Sequence, residues 1–243
     1  MLDTIGRRRD ANVLAQKASE ALVDNAKVED SKKQDGHGKI LRRLNNLLTS
    51  TPSYSLASEI ARNMRDSRLN LNVVTYNILI NKAPDDDETE SLVEQMRGEG
   101  IAPDVVTYTT LIAKAPDYDE AKGLVEQMSG EGIAPDVVSY NTLIAKAPDY
   151  DEAKGLVEQM RGEGIAPNVA TYCTVFSKSL GGKSADEIVE WYVAQEYDSE
   201  EPIQAAIANL RRSGNIDEAL SLSLKYPHLP AAQKVIQRAK DRE

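Results

Sequence analysis

The sequence predicts an all-α fold: a right-handed α-solenoid of stacked helix-turn-helix repeats with helical caps. Three observations predict it. Residues 105–136 and 137–168 are one 32-residue segment written twice, and they differ only at Thr107/Ser139, Thr109/Asn141, Ser129/Arg161 and Asp136/Asn168. A fixed period of this length is the signature of a repeat architecture. Within each copy the apolar residues recur at helical spacing, as in Tyr108, Leu111, Ile112 and Ala115. Aromatic residues make up only 5% of the chain, and nearly all are Tyr. A stack of small helices filled by Leu, Ile, Val and Ala has no need of a large aromatic core.

The elements follow in order. Residues 10–28 read as a helix with Leu14, Ala18, Ala21 and Leu22 on one side, and 29–38 as a polar linker, so 1–40 form an N-terminal segment. Residues 41–168 hold four repeats. The first, 41–72, is degenerate; the second, 73–104, matches the third at 24 of 32 positions, and Tyr76, Tyr108, Tyr140 and Tyr172 mark the register. Each first helix starts after Asn72, Asp104, Asp136 or Asn168, all good N-cap types. Pro116 ends the first helix and Asp117 caps the second. In the second helix Ala121, Leu124, Val125 and Met128 repeat the apolar spacing. Gly132 suits a left-handed C-cap, and Pro135 keeps the chain from continuing as helix. Two helices this short cannot bury both stripes alone, so neighbouring repeats must stack. Residues 169–243 form a diverged repeat and a helical cap, with helices expected near 184–197, 200–212, 216–225 and 230–241. Leu210, Ala219 and Leu220 continue the stack, and Trp191 and Tyr192 pack between the last helices.

Composition excludes several classes. No run of 18 apolar residues predicts a membrane-spanning helix, and the start of the chain has no secretory pattern, so a cytoplasmic protein is expected. Cys173 is the only cysteine, and His37 and His228 stand far apart, so no metal site and no cofactor are expected. The acidic run 85–88 begins a helix, where negative charge is favourable. SKSLGGKS (177–184) resembles the end of a phosphate-binding loop, but it lacks the first glycine and follows a helix instead of a strand. No catalytic constellation is present, and the chain is not expected to be an enzyme.

The strings VVSYNTLI (137–144) and DEAKGLVEQMRGEGIAPN (151–168) resemble the signature of pentatricopeptide-repeat proteins. The likeness is strong over 73–168, weak over 41–72 and partial over 169–197. The family's usual unit is 35 residues, and the three missing here fall between the two helices. What the resemblance implies is single-stranded RNA binding, one base per repeat. The fifth residue of a repeat and its last residue would select the base: Asn45 with Asn72, Asn77 with Asp104, Thr109 with Asp136, and Asn141 with Asn168. Val74, Val106 and Val138, at the second position, would pack against bases; Arg42 and Ala170 depart from that pattern. By the family's code the chain would read 5′-Y-U-G-C-3′.

The residues themselves are compatible with this. The net charge of −10 argues against a non-specific nucleic-acid binder, but the first helices 73–83, 105–115 and 137–147 hold no acid and one Lys each. Lys82, Lys114 and Lys146 are therefore possible phosphate contacts. The fifth residue lies off the apolar stripe and is expected to be exposed. The same residues also have plainer readings, the last ones as helix caps, the fifth ones as solvated polar groups, and the lysines as products of duplication. Four readers are few, so a recognition or adaptor subunit is expected, working with a nuclease, a polymerase or a ribonucleoprotein component. The alternative is a helical-repeat scaffold for protein partners without RNA binding.

Overall fold

The computed structural model describes residues 13, 16–18, 20, 21, 35–178, 184–195 and 199–240. Among these every regular element is a helix. They are α1 (Asp35–Ser50), α2 (Tyr54–Asp66), α3 (Val73–Lys82), α4 (Asp86–Gly98), α5 (Val105–Lys114), α6 (Tyr118–Gly130) and α7 (Val137–Lys146). After them come α8 (Tyr150–Gly162), α9 (Val169–Ser177), α10 (Ala185–Val193), α11 (Glu201–Ser213), α12 (Ile216–Lys225) and α13 (Pro230–Lys240). The fold is an all-α solenoid of two-helix repeats. The chain divides into two compact halves, residues 1–114 and 115–243.

Local sequence sets each boundary. Asp85, Asp117 and Asp149 accept from the backbone N–H three residues on and start α4, α6 and α8. Such caps each contribute about 1 kcal/mol. Gly100, Gly132 and Gly164 follow the second helices at φ between 74° and 79°. A Cβ is disfavoured there, so glycine ends the helix at least cost. The next N–H returns to the methionine carbonyl, as in Ile133 to Met128 at 3.0 Å.

In the N-terminal half, Leu44, Leu48, Ile60, Met64, Tyr76, Ile80 and Met96 form a core closed to solvent. First helices pack on first helices, α1 on α3 and α3 on α5. In the C-terminal half α7 packs on α9, α9 on α11, and α11 on α12 and α13. The four register tyrosines are all buried. Tyr192 stacks edge-on against Tyr172 with centroids 4.9 Å apart, and Trp191 meets Tyr150 at 6.1 Å, so both aromatics do pack between helices. Leu210 and Ala219 are buried, whereas Leu220 is only half-buried.

Some expectations shift. Helix α1 begins at Asp35, inside the stretch read as linker; an acidic first residue suits a helix N-terminus. Residues 13, 16–18, 20 and 21 are helical as expected for 10–28, and the rest of that stretch lies outside the described residues. So does most of the glycine-bearing stretch 177–184, at residues 179–183. The four C-terminal helices fall within a few residues of their expected spans.

Candidate nucleic-acid interface

In the second, third and fourth repeats the second position is the most exposed apolar site in its helix: Val74 is 48%, Val106 53% and Val138 54% exposed. Position two lies one residue before the buried Thr and two before the buried Tyr, so it falls off the packed stripe. In the N-terminal half Val74 and Val106 line one open groove of about 510 Å³ between α3 and α5, together with Asn77 and Asp104.

Asn77 and Asp104 are joined. The Asn77 amide donates to Asp104 Oδ1 at 3.0 Å, and the Thr107 hydroxyl donates to Asn77 Oδ1 at 2.6 Å. Thr107 N–H also donates to Asp104 Oδ1, at 2.9 Å. This triangle fixes which way the amide faces. It leaves the second amide hydrogen of Asn77 and the second oxygen of Asp104 outside it, one donor beside one acceptor. Burial pushes the Asp104 carboxyl up, but hydrogen bonds from Thr107 N–H, the Asn77 amide and the Thr107 hydroxyl outweigh it and hold the pKa below the ordinary value. The acceptor is therefore ionised at neutral pH.

The first repeat has a looser version. Asn45 donates to Asn72 Oδ1 at 3.4 Å, and Thr75 Oγ1 donates to Asn45 Oδ1 at 2.8 Å. The neutral acceptor accounts for the longer reach, since charge-assisted bonds are shorter. In the C-terminal half Asn141 donates to Asn168 Oδ1 at 3.4 Å, and Asn141 Oδ1 is buried without a hydrogen bond from any described residue. Thr109 Oγ1 donates to the Val105 carbonyl at 2.7 Å. Asp136 caps α7, accepting from Ser139 N–H at 2.8 Å and from the Ser139 hydroxyl at 2.9 Å. The caps expected at Asn72, Asp104, Asp136 and Asn168 are thus all made.

One feature differs from the sequence reading. Asn45 and Asn77, expected to be exposed, are 7% and 9% exposed. Each folds onto the last residue of its repeat and the third-position Thr of the next, and that covers most of the side chain. The lysines, read as possible phosphate contacts, each also donate to a main-chain carbonyl: Lys82 to Thr51 at 2.7 Å, Lys114 to Ala83 at 2.8 Å and Lys146 to Ala115 at 2.6 Å. An ammonium at a helix C-terminus is favourable, contributing about 0.3–1 kcal/mol. Each still has donors to spare, since an ammonium carries three.

A further pairing was missed. Arg65, Arg97 and Arg161 donate to the hydroxyls of Tyr76, Tyr108 and Tyr172 at 3.0, 3.2 and 2.7 Å. Ser129 stands where the fourth arginine would, and among the described residues the buried Tyr140 hydroxyl makes no well-aligned hydrogen bond, although Glu163 and Gln159 approach it. The signal was in the sequence as an Arg eleven residues before each register Tyr, broken once. Among the described residues no cluster of His, Cys, Asp and Glu is arranged to hold a metal, and no helix is long and apolar enough to cross a membrane.

Residues 91–147 and 124–179 match the model of the pentatricopeptide repeat domain. Among solved structures the chain is similar to the pentatricopeptide repeat protein PPR10 in complex with an 18-nt psaJ RNA element, at 23% identity and a TM-score of 0.59. That match covers 94% of this chain and 37% of PPR10. The structure of PPR10 from maize matches at 19% identity with a TM-score of 0.60, over 93% of this chain and 34% of that one. The chain thus spans little more than a third of the length of these proteins. No curated protein sequence matches it. The overlapping matches fall where the signature recurs in register, and residues 91–179 carry the pentatricopeptide repeat domain in a 32-residue unit.

Proposed function

We propose that the chain binds single-stranded RNA through the first helices of its repeats, one base per repeat. The selecting pairs are Asn45 with Asn72, Asn77 with Asp104, Thr109 with Asp136, and Asn141 with Asn168. Val74, Val106 and Val138 pack against base faces, and Lys82, Lys114 and Lys146 share their remaining donors with phosphates. The observation that carries this reading is the groove between α3 and α5. Two exposed valines line it, and so do a donor and an ionised acceptor held in fixed orientation. Apolar walls beside a polar pair suit a flat base with one hydrogen-bonding edge. That PPR10 was solved with an RNA element adds support.

Stacking contributes roughly 1–3 kcal/mol per base, so four positions give a modest affinity. That fits a recognition or adaptor subunit acting beside a protein partner such as a nuclease, a polymerase or a ribonucleoprotein component. Val193 and Leu224, 55% and 63% exposed in the C-terminal half, offer apolar surface for such a contact.

Selection from a randomised RNA pool at low salt tests the proposal. Enrichment of YUGC is expected, with Thr109→Asn shifting one position from G towards U. If no sequence is enriched, the RNA reading fails and the protein-scaffold reading takes its place.

A further inference from the structure

The first helices begin at 73, 105, 137 and 169, and α11 begins at 201, so the 32-residue step continues one helix beyond the recognisable repeats. The sequence of α11 hides this, because its buried face is Pro202, Ile203, Ala206, Ile207 and Leu210, without the Thr-Tyr pair. Helix α11 packs beside α9 as α9 packs beside α7, so it continues the same layer in the C-terminal half. Cys173 holds the fifth position of α9, where α7 carries Asn141.

Next to Cys173 opens a groove of about 460 Å³, lined also by Gln204, Ala208, Arg211 and Lys234 from α11 and α13. Its volume lies in the range of small-ligand sites. Glu201 lines it too, so two cations stand against one carboxylate. Arg211 and Lys234 make no hydrogen bond or ion pair with any described residue. By contrast, their neighbours are committed: Arg212 donates to Asn209 at 2.5 Å, and Lys225 pairs with Asp186 at 2.9 Å.

We propose that this groove extends the RNA track: it takes the nucleotide that follows the one read by Asn141 and Asn168 and holds its phosphate on Arg211 and Lys234. Selection of that base is weak. A thiol is a poor donor and alanine offers none, while the Gln204 amide carries both a donor and an acceptor and suits any base edge. The site therefore contributes length and salt-dependent affinity, not sequence preference. The inference rests on the RNA reading above.

The test uses the full chain and two oligonucleotides, CUGC and CUGCUU, with UUCUGC as the control for the other end. Expected is about tenfold tighter binding of CUGCUU than CUGC at low salt. The log–log salt slope should steepen by roughly 0.7, as one further phosphate contact on a single strand implies. The Arg211→Gln/Lys234→Gln variant should bind CUGCUU no better than CUGC and leave CUGC binding unchanged. Arg212→Gln removes the same charge from the adjacent residue and should keep the gain. If the double variant keeps the gain, or if Arg212→Gln loses it equally, the groove is not the site. A gain from UUCUGC in place of CUGCUU also overturns it. If CUGC itself fails to bind the wild-type chain, the RNA reading has failed and this site with it.

Discussion

Two joints in the C-terminal half are built from nearly the same 32 residues and yet are finished differently. At one, Arg161 reaches the buried hydroxyl of Tyr172 at 2.7 Å. At the other, Ser129 is too short, and among the described residues the buried hydroxyl of Tyr140 has no arginine and no well-aligned hydrogen bond, only the approach of Glu163 and Gln159. Ser129 turns instead to its own helix, donating to the Val125 carbonyl at 3.1 Å. The difference teaches that near-identity of sequence does not give equal stability in a repeat array. Leaving a buried polar group unpaired costs about 1–3 kcal/mol, so one substitution makes one joint weaker than the others.

The comparison is sharpest when it is reversed. Ser129→Arg supplies the missing donor and is expected to raise unfolding stability by about 1–2 kcal/mol. Denaturant titration measures it, and a change of only a few tenths would remove the contrast between the joints. The mirror change, Arg161→Ser, should cost about 1 kcal/mol, less because the lost partner is itself partly solvated. Removing the hydroxyls separates the joints again: Tyr172→Phe should cost about 1 kcal/mol, while Tyr140→Phe should be neutral or slightly stabilising. Equal costs would mean that Tyr140 has a partner after all.

The smallest effect is alkaline. Burial raises the Tyr140 hydroxyl above its ordinary pKa, and the Glu163 carboxylate nearby adds to this. Burial also lifts Tyr54, with Glu88 contributing, and Tyr150, with Asp151 contributing, to about 12. The native state thus prefers these phenols neutral. Their contribution is fully present below the unfolded value near pH 10 and declines as the pH climbs through the folded values. A guanidinium beside Tyr140 lowers its pKa, so Ser129→Arg should flatten this decline relative to wild type in melts between pH 9 and 12.

Helices, caps and the buried tyrosine face were legible in the sequence because each is decided locally. Asp117 precedes its helix, Gly132 follows it, and Tyr108 with Ile112 recurs on one side. The positions proposed to select bases came from the resemblance to the family signature. What the sequence reading left out was tertiary. That Lys114 ends on the Ala83 carbonyl depends on how one helix leans on the one before it, and no spacing within a single repeat encodes that. The burial of Asn77 depends on Asp104 and Thr107, which lie far along the chain and meet only after stacking. Helix α11 kept the step while its residues lost the signature, so its groove was invisible to motif reading. The Ser129/Arg161 difference had a readable cause, because the Arg-to-Tyr spacing recurs. The Thr107/Ser139 difference also follows a pattern. Thr75, Thr107 and Thr171 each follow a repeat with Asn at its fifth position, whereas Ser139 follows the repeat with Thr109.

The lysine joints bear on how such a chain grows. Lys82, Lys114 and Lys146 each grip main-chain oxygen, and main chain is the one thing all neighbours have in common. A whole cassette copied into the middle of the array would find a carbonyl waiting on one side and offer its own on the other. Gene duplication can therefore lengthen or shorten the array without inventing a new joint. The near-perfect pair at 105–168 has the form such an event leaves behind, and each added cassette arrives structurally accepted before its outward residues have diverged.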